Sequence, residues 1–320
     1  MQNSSIDLSK TKNTSVKKWI SLIVIFVISF FILQTAITVP FMVLHETLLK
    51  HTIAKAQWYQ YVYDLPLIIT ILLILFQVNR TLKKDIRSLV KDNLELQDEI
   101  IEIDLNKEYE DELTEKVRKA YLKAKSALNL SEDIILIRSK EDIYNAFAIS
   151  NLNGKAIVVF DGLTKQSEEN QLQAIIGHEI GHILNKDAIY KILDYSIIYF
   201  IPYAQYTSDY ISTHLLNFSK KNIFLLIFMF PIYLTAKVIF VLISIFNYIL
   251  NYVRAFASKQ AEHLADYIGM ASSPNNSMIE ALETIKEIEG TYQTNESVLM
   301  RLLAEHPQTD KRILYLNNVN

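Results

Sequence analysis

Residues 178–182 read His-Glu-Ile-Gly-His. On a helix the two histidines lie one turn apart on one face, so both imidazoles can reach a single metal ion. The glutamate between them projects close enough to act on a metal-bound water. A tetrahedral site needs a third protein ligand, and His263, His306 and several carboxylates are available. Glu262 and Asp266 stand four apart in Ser-Lys-Gln-Ala-Glu-His-Leu-Ala-Asp (258–266). Stacked on a helix, Glu262 can bind metal while Asp266 accepts the spare N–H of a ligand histidine. The chain has no cysteine, which excludes thiolate metal sites, iron–sulfur clusters and disulfides.

The elements that must hold this chemistry follow from the surrounding pattern. Leu172, Ile175, Ile176, Ile180 and Ile183 recur at helical spacing and predict a helix over 168–186. Before it come a helical stripe (Val117, Ala120, Tyr121, Ala124, Ala127, Leu128) and three short strand-like runs at 133–138, 143–150 and 155–160. The last two flank Asn-Leu-Asn-Gly, and Asn153-Gly154 is a strong hairpin signal. Residues 112–320 therefore read as a compact α+β domain, interrupted by a hydrophobic helical hairpin at about 190–253. Upstream, Leu82, Ile86, Leu89, Asn93, Leu96, Ile100 and Ile103 alternate spacings of four and three. That predicts a charged helical stalk over 81–111, which either self-associates through 82–103 as a coiled coil or folds onto the chain's own domain.

Long apolar blocks make this a membrane chain. Half of the 320 residues are hydrophobic and 21% are charged. Residues 19–44 contain no charge, a run of 26, which as a helix spans about 39 Å against a ~30 Å hydrocarbon core. A second, weaker span ends at residue 79, giving a two-helix anchor over 19–80 behind an N-terminal tail at 1–18. Lys10, Lys12, Lys17 and Lys18 precede the first span, and Arg80, Lys83, Lys84, Arg87 and Lys91 follow the second. The positive-inside rule then puts the tail and everything after residue 80 in the cytoplasm. Residues 195–218 and 222–253 read as the later hairpin, turning near Lys220 and Lys221. Tyr195, Tyr199, Tyr203, Tyr206 and Tyr210 form one helical face there, read as a packing seam against the next helix or as the lining of a substrate cavity. Both halves of the metal site emerge on one side of that hairpin. A net charge of -3 gives no reason to expect nucleic acid, and the absence of a G-x-x-x-x-G-K-[ST] motif gives none to expect ATP.

With these residues in view, the chain resembles the HtpX-type membrane metallopeptidases, relatives of the CAAX prenyl proteases. The resemblance rests on NAFAISNLNGKAIVVFDGL (145–163), AIIGHEIGHILNKD (174–187), SKQAEHLAD (258–266) and EHPQTDKRI (305–313). It implies a mainly helical, zincin-like (gluzincin) α+β catalytic domain with a small sheet, integrated with about four transmembrane helices. His178, His182 and Glu262 would hold one Zn2+ per chain, with Glu179 as general base and acid. Extended polypeptide substrate would add beside Asn145, Ala146, Phe147 and Ala148. The oxyanion needs a donor, and His306 and Arg312 are the candidates. The implied activity is cleavage of damaged, unfolded or unassembled membrane proteins at the cytoplasmic face of the plasma membrane. A dedicated maturation peptidase for a peptide or lipoprotein partner, and a catalytically silent membrane adaptor, are the alternatives.

Overall fold

The computed structural model describes residues 8–44, 58–94, 99–219, 223–292 and 309–319. They fall into two compact units. One comprises Met1–Trp19, Leu82–Ile192 and Ala255–Asn320, the other Ile20–Thr81 and Leu193–Arg254.

The first unit is built on a four-stranded sheet: β1 (Ile100–Ile103), β2 (Ile135–Ser139), β3 (Ala146–Ser150) and β4 (Lys155–Phe160), in the order β1-β2-β4-β3. β2 and β4 run parallel and the two outer pairs are antiparallel. Central β4 is buried on both faces, which is why Ala-Ile-Val-Val-Phe reads as an unbroken apolar run rather than an alternating one. Ile157 and Val159 pack with Val117, Ala120, Tyr121 and Ala124 of helix α4 (Glu112–Ala127) and with Ile176 and Ile180 of helix α6 (Glu169–Leu184). Ala156, Val158 and Phe160 face the other way, onto Ile86, Leu89 and Val90 of the short helix α3 (Ile86–Asn93).

That last contact corrects the stalk. The helix predicted over 82–103 ends at Asn93, and Ile100 and Ile103 lie in edge strand β1; Leu96 is outside the described residues. The heptad face of α3 is spent on the chain's own sheet, so it is not offered to a second chain. Asn93 donates to Leu89 O at 2.8 Å instead of setting a coiled-coil register.

The hairpin at 151–154 forms, but not with the left-handed residues of a two-residue turn: neither Asn153 nor Gly154 has positive φ. The turn is held from outside. Asn151 and Asn153 donate side-chain N–H groups to Lys84 O at 2.7 Å and Lys83 O at 2.6 Å. Gly154 matters for space, since a Cβ there would lie 3.1 Å from Ile86 Cγ2.

The second unit is helical. Its residues come from α1 (Leu8–Leu44), α2 (Trp58–Leu82), α7 (Asp187–Ile198), α8 (Ile201–Ser219) and the 50-residue α9 (Ile223–Ser272). α1 begins well before the uncharged run, so residues 8–18 are helical rather than a loose tail. Among the described residues, three segments are long and apolar enough to span a bilayer: Val16–Val39, Asp64–Leu82 and Phe230–Asn247. α8, read from sequence as part of a further span, has the length but is too polar to join them. The tyrosine face is not the seam with α9 either, because Tyr195 of α7 and Tyr203, Tyr206 and Tyr210 of α8 are 51–71% exposed. Polar contacts join α8 to α9: Gln205 to Ser244 at 3.1 Å, Asn247 to Gln205 at 3.0 Å, and Lys237 to Asp209 at 3.0 Å. Two further helices, α10 (Ser277–Tyr292) and α11 (Thr309–Val319), pack together in the first unit.

Candidate active site

Helix α6 starts where Gln171 Oε1 accepts the Glu168 N–H at 2.9 Å, closing the first turn. It stops at Lys186, whose φ of 60° is left-handed. Two glycines between those ends, with Gly269 on α9, set how closely the two helices can approach. A Cβ on Gly177 would lie 1.8 Å from Ser272 Oγ, one on Gly181 3.0 Å from Ala265 Cα, and one on Gly269 2.7 Å from Ala174 O. The end of α9 thus packs nearly backbone to backbone on α6, which carries Glu262 and Asp266 to the histidine face.

The functional atoms converge as a result. His178 Nε2 and His182 Nε2 lie 3.0 Å apart. The Glu262 carboxylate lies 3.4 Å from the first and 3.6 Å from the second. Glu179 offers a carboxylate oxygen within 4.8 Å of both imidazoles. All four residues are buried.

Each imidazole is held from behind. His178 Nδ1 is 2.9 Å from Asp266 Oδ1, and Arg312 grips Asp266 with two bonds, Nε to Oδ2 at 2.8 Å and Nη2 to Oδ1 at 2.5 Å. Arg312 Nη2 is also 3.6 Å from Glu262 Oε2. His182 Nδ1 is 3.0 Å from Asp187 Oδ2, which also accepts from Asn185 Nδ2 at 3.0 Å. Asp187 Oδ1 forms an ion pair with Lys18. Burial pushes the His178 imidazole toward its neutral form, but Asp266 and Glu262 outweigh it and raise the metal-free group to about 9. Burial likewise pushes Asp266 up, and Arg312 followed by His178 holds it down at about 2.

This donor set fits a divalent metal. With each Nδ1 beside a carboxylate, both Nε2 atoms and the Glu262 carboxylate turn to one point, so neutral imidazoles would present two lone pairs and an anionic oxygen to a single metal ion. The charge agrees. Among the described residues of the site, Asp266 is balanced by Arg312 and Asp187 by Lys18. Glu179 and Glu262 add two further buried carboxylates beside the imidazoles, a concentration of negative charge that suits a dication. Nitrogen and carboxylate ligands of this kind suit zinc.

Of the site residues read from sequence, His178, Glu179, His182, Glu262 and Asp266 come together. Arg312 joins them, with its guanidinium bonded to Asp266 and 3.6 Å from Glu262. His306 is outside the described residues. Asn145 precedes β3, and Ala146, Phe147 and Ala148 lie on it. β3 is an edge of the sheet, and α6 packs against it. His263 stacks on Tyr315 with ring centroids 4.4 Å apart. Sequence reasoning missed Asp187, Lys18 and the glycines. Gly177 and Gly181, four apart in one helix, carried a readable close-packing signal. Lys18 carried none, being indistinguishable from the other lysines before the first span.

A site of two helical histidines, an intervening glutamate and a glutamate from a second helix has the composition of a metallopeptidase centre. The chain belongs to peptidase family M48, whose profile matches residues 107–320. It is similar to Protease HtpX of Shewanella piezotolerans, 24% identical over 58% of this chain and 66% of that protein. It is also similar to Protease HtpX of Xanthomonas campestris pv. campestris, 27% identical over 55% of this chain and 63% of that protein. The matched stretch thus spans just under two thirds of each relative's length. Among solved structures, the crystal structure of S. mikatae Ste24p aligns with 94% of this chain and 66% of its own at 18% identity and a TM-score of 0.42.

Proposed function

We propose that this chain is an integral-membrane zinc endopeptidase that cuts exposed segments of damaged, unfolded or unassembled membrane proteins at the cytoplasmic membrane surface. The observation that carries the reading is the meeting of His178 Nε2, His182 Nε2 and the Glu262 carboxylate within 3.0–3.6 Å of one another, with Glu179 beside them. Zinc held by those three residues supplies Lewis acidity, polarising the scissile carbonyl and making an attacking water easier to deprotonate. Glu179 takes that proton and returns it to the leaving amine. Asp266 and Asp187 hold the imidazoles in the tautomer that leaves Nε2 free. Arg312 keeps the buried Asp266 ionised and sets its charge beside Glu262. The peptide lies extended along β3, bonding its backbone to the strand's outer edge, which gives affinity with little sequence selectivity.

The membrane arrangement follows from parity. His178 and Glu262 share one site, so the chain between them must return to the side it left. The span at Phe230–Asn247 therefore needs a partner crossing, and α8 supplies it, with Gln205 and Asp209 satisfied by α9 rather than by lipid. This reading has four crossings, and the basic flanks of the first two support a site facing the cytoplasm.

The test is cleavage of an unfolded protein by detergent-purified enzyme, wild type beside Glu179→Gln, with zinc measured in both. Cleavage should fall at least a hundredfold in Glu179→Gln with zinc retained, a loss of the size general-base removal brings. Cleavage by the variant within a few fold of wild type removes Glu179 from the mechanism. Zinc-loaded wild type that cuts nothing favours the dedicated maturation peptidase or the adaptor.

A further inference from the structure

Lys18 has no part in the chemistry above, yet it is 6% exposed, while its neighbours Val16, Trp19 and Ile20 are each 56% exposed. Burying an ammonium costs several kcal/mol unless a charge partner and hydrogen bonds replace its water. Both replacements come from the metal centre. Nζ pairs with Asp187 Oδ1 and reaches Asn185 O at 3.4 Å. Asn185 caps α6, so the cation also meets the negative end of that helix's dipole. The second oxygen of Asp187 is taken by His182 Nδ1 and Asn185 Nδ2. The carboxylate is therefore fixed from both sides, by Lys18 on one oxygen and by the ligand histidine on the other.

We propose that Lys18 is a positioning residue of the metal centre: by fixing Asp187 it orients the His182 imidazole, which makes the N-terminal stretch of the first membrane helix part of the site. Without Lys18, Asp187 keeps only neutral donors in a buried place. A buried carboxylate without its cation turns toward water, which releases His182 from its angle. The inference rests on the metal-centre reading above.

The experiment uses full-length protein in detergent. Zinc affinity by chelator competition and the absorption spectrum of the cobalt-loaded form are read for wild type, Lys18→Met, Lys18→Arg, Lys18→Gln, Asp187→Asn and the Lys18→Met/Asp187→Asn double variant. Lys18→Met should weaken zinc roughly ten- to a hundredfold and shift the cobalt bands. Lys18→Arg should recover most of the affinity. The double variant should be no weaker than Asp187→Asn alone, because Lys18 acts through Asp187. Lys18→Met with wild-type affinity and spectrum overturns the inference, as does a double variant in which the two losses multiply. Where Lys18→Met does not fold by thermal melting, the Lys18→Gln and Lys18→Arg pair decides by the same criteria. Wild type that binds no zinc defeats the metal-centre reading itself, whereas zinc-binding wild type with an indifferent Lys18 defeats only this inference.

Discussion

The two imidazoles that face each other across 3.0 Å are held by opposite means. Behind His178 stands Asp266, from another helix, and behind Asp266 stands Arg312, from a third. Behind His182 stands Asp187, only five residues along the chain, beyond the left-handed turn at Lys186. Its cation comes from the opposite end of the sequence. The first arm is tertiary throughout and exists only while α9 is packed on α6 and α11 on α10. The second keeps its carboxylate by local geometry and borrows only its charge. Loosening the far helices should therefore disarm His178 and leave His182 in place, and the sharpest experiments are those that separate the two arms.

Removing the cations should separate them most. Arg312→Met leaves Asp266 and Glu262, 0% and 1% exposed, without their cation. Breaking a buried pair in this way costs about 3–5 kcal/mol, read as a shift of the denaturant midpoint of the metal-free protein. Lys18→Met should cost less, because Asp187 retains His182 and Asn185. Equal losses would mean that the arms are not different in kind.

Replacing the carboxylates comes next. Asp266→Asn and Asp187→Asn should each weaken zinc roughly ten- to a hundredfold, with Asp266→Asn the larger because it also releases Arg312 beside Glu262. Chelator competition measures both, and the reverse order would put the dominant support on the local arm.

How much of this could be read beforehand follows from the same contrast. Glu262 and Asp266 were legible because a four-residue spacing is a statement about one helix face, whatever that face meets. Asp187 was close in sequence but hidden by the turn at Lys186, since a residue beyond a helix end has no predictable direction. Lys18 was illegible for a different reason, because its partner is fixed by the packing of distant segments and leaves no mark on local spacing. The heptads show the opposite failure. Ile86 and Leu89 do lie on a helix, but Ile100 and Ile103 keep the same spacing in a strand, where pairing with Ser139 and Leu136 decides the conformation. The sheet and α6 were anticipated because burial on one or both faces of a regular element dictates composition directly.

The arms should also differ in their response to pH, with a smaller effect. In metal-free protein His178 sits at about 9, above the ~6.5 of an unfolded chain. Its bound proton thus adds stability that is fully present below about 6.5 and is lost as pH rises through 9. Denaturant midpoints of chelated protein should fall across that window, while zinc affinity rises as the competing proton leaves. In Asp266→Asn the fall should be much reduced. An unchanged slope in that variant would assign the proton to another group.

The smallest expected effect tests whether burial, rather than ion pairing as such, is what the remote arm needs. Lys286 of α10 pairs with Asp310 of α11 at 2.6 Å, and both side chains are more than half exposed. Asp310 lies two residues before Arg312 on the same helix, so this surface pair could be thought to dock the helix that carries the guanidinium. Exposed pairs of this kind contribute about 0–1 kcal/mol, because water screens them and two long side chains must be ordered to make them. Leu316, fully buried with Met278 and Leu282, already holds α11 against α10 through apolar contact. Lys286→Gln should therefore leave zinc affinity within twofold of wild type and shift the denaturant midpoint by less than about 1 kcal/mol. A tenfold loss of affinity would show that the remote arm hangs on its surface as well as on its buried core, and that the packing of α9 on α6 does not by itself carry Arg312 to Asp266.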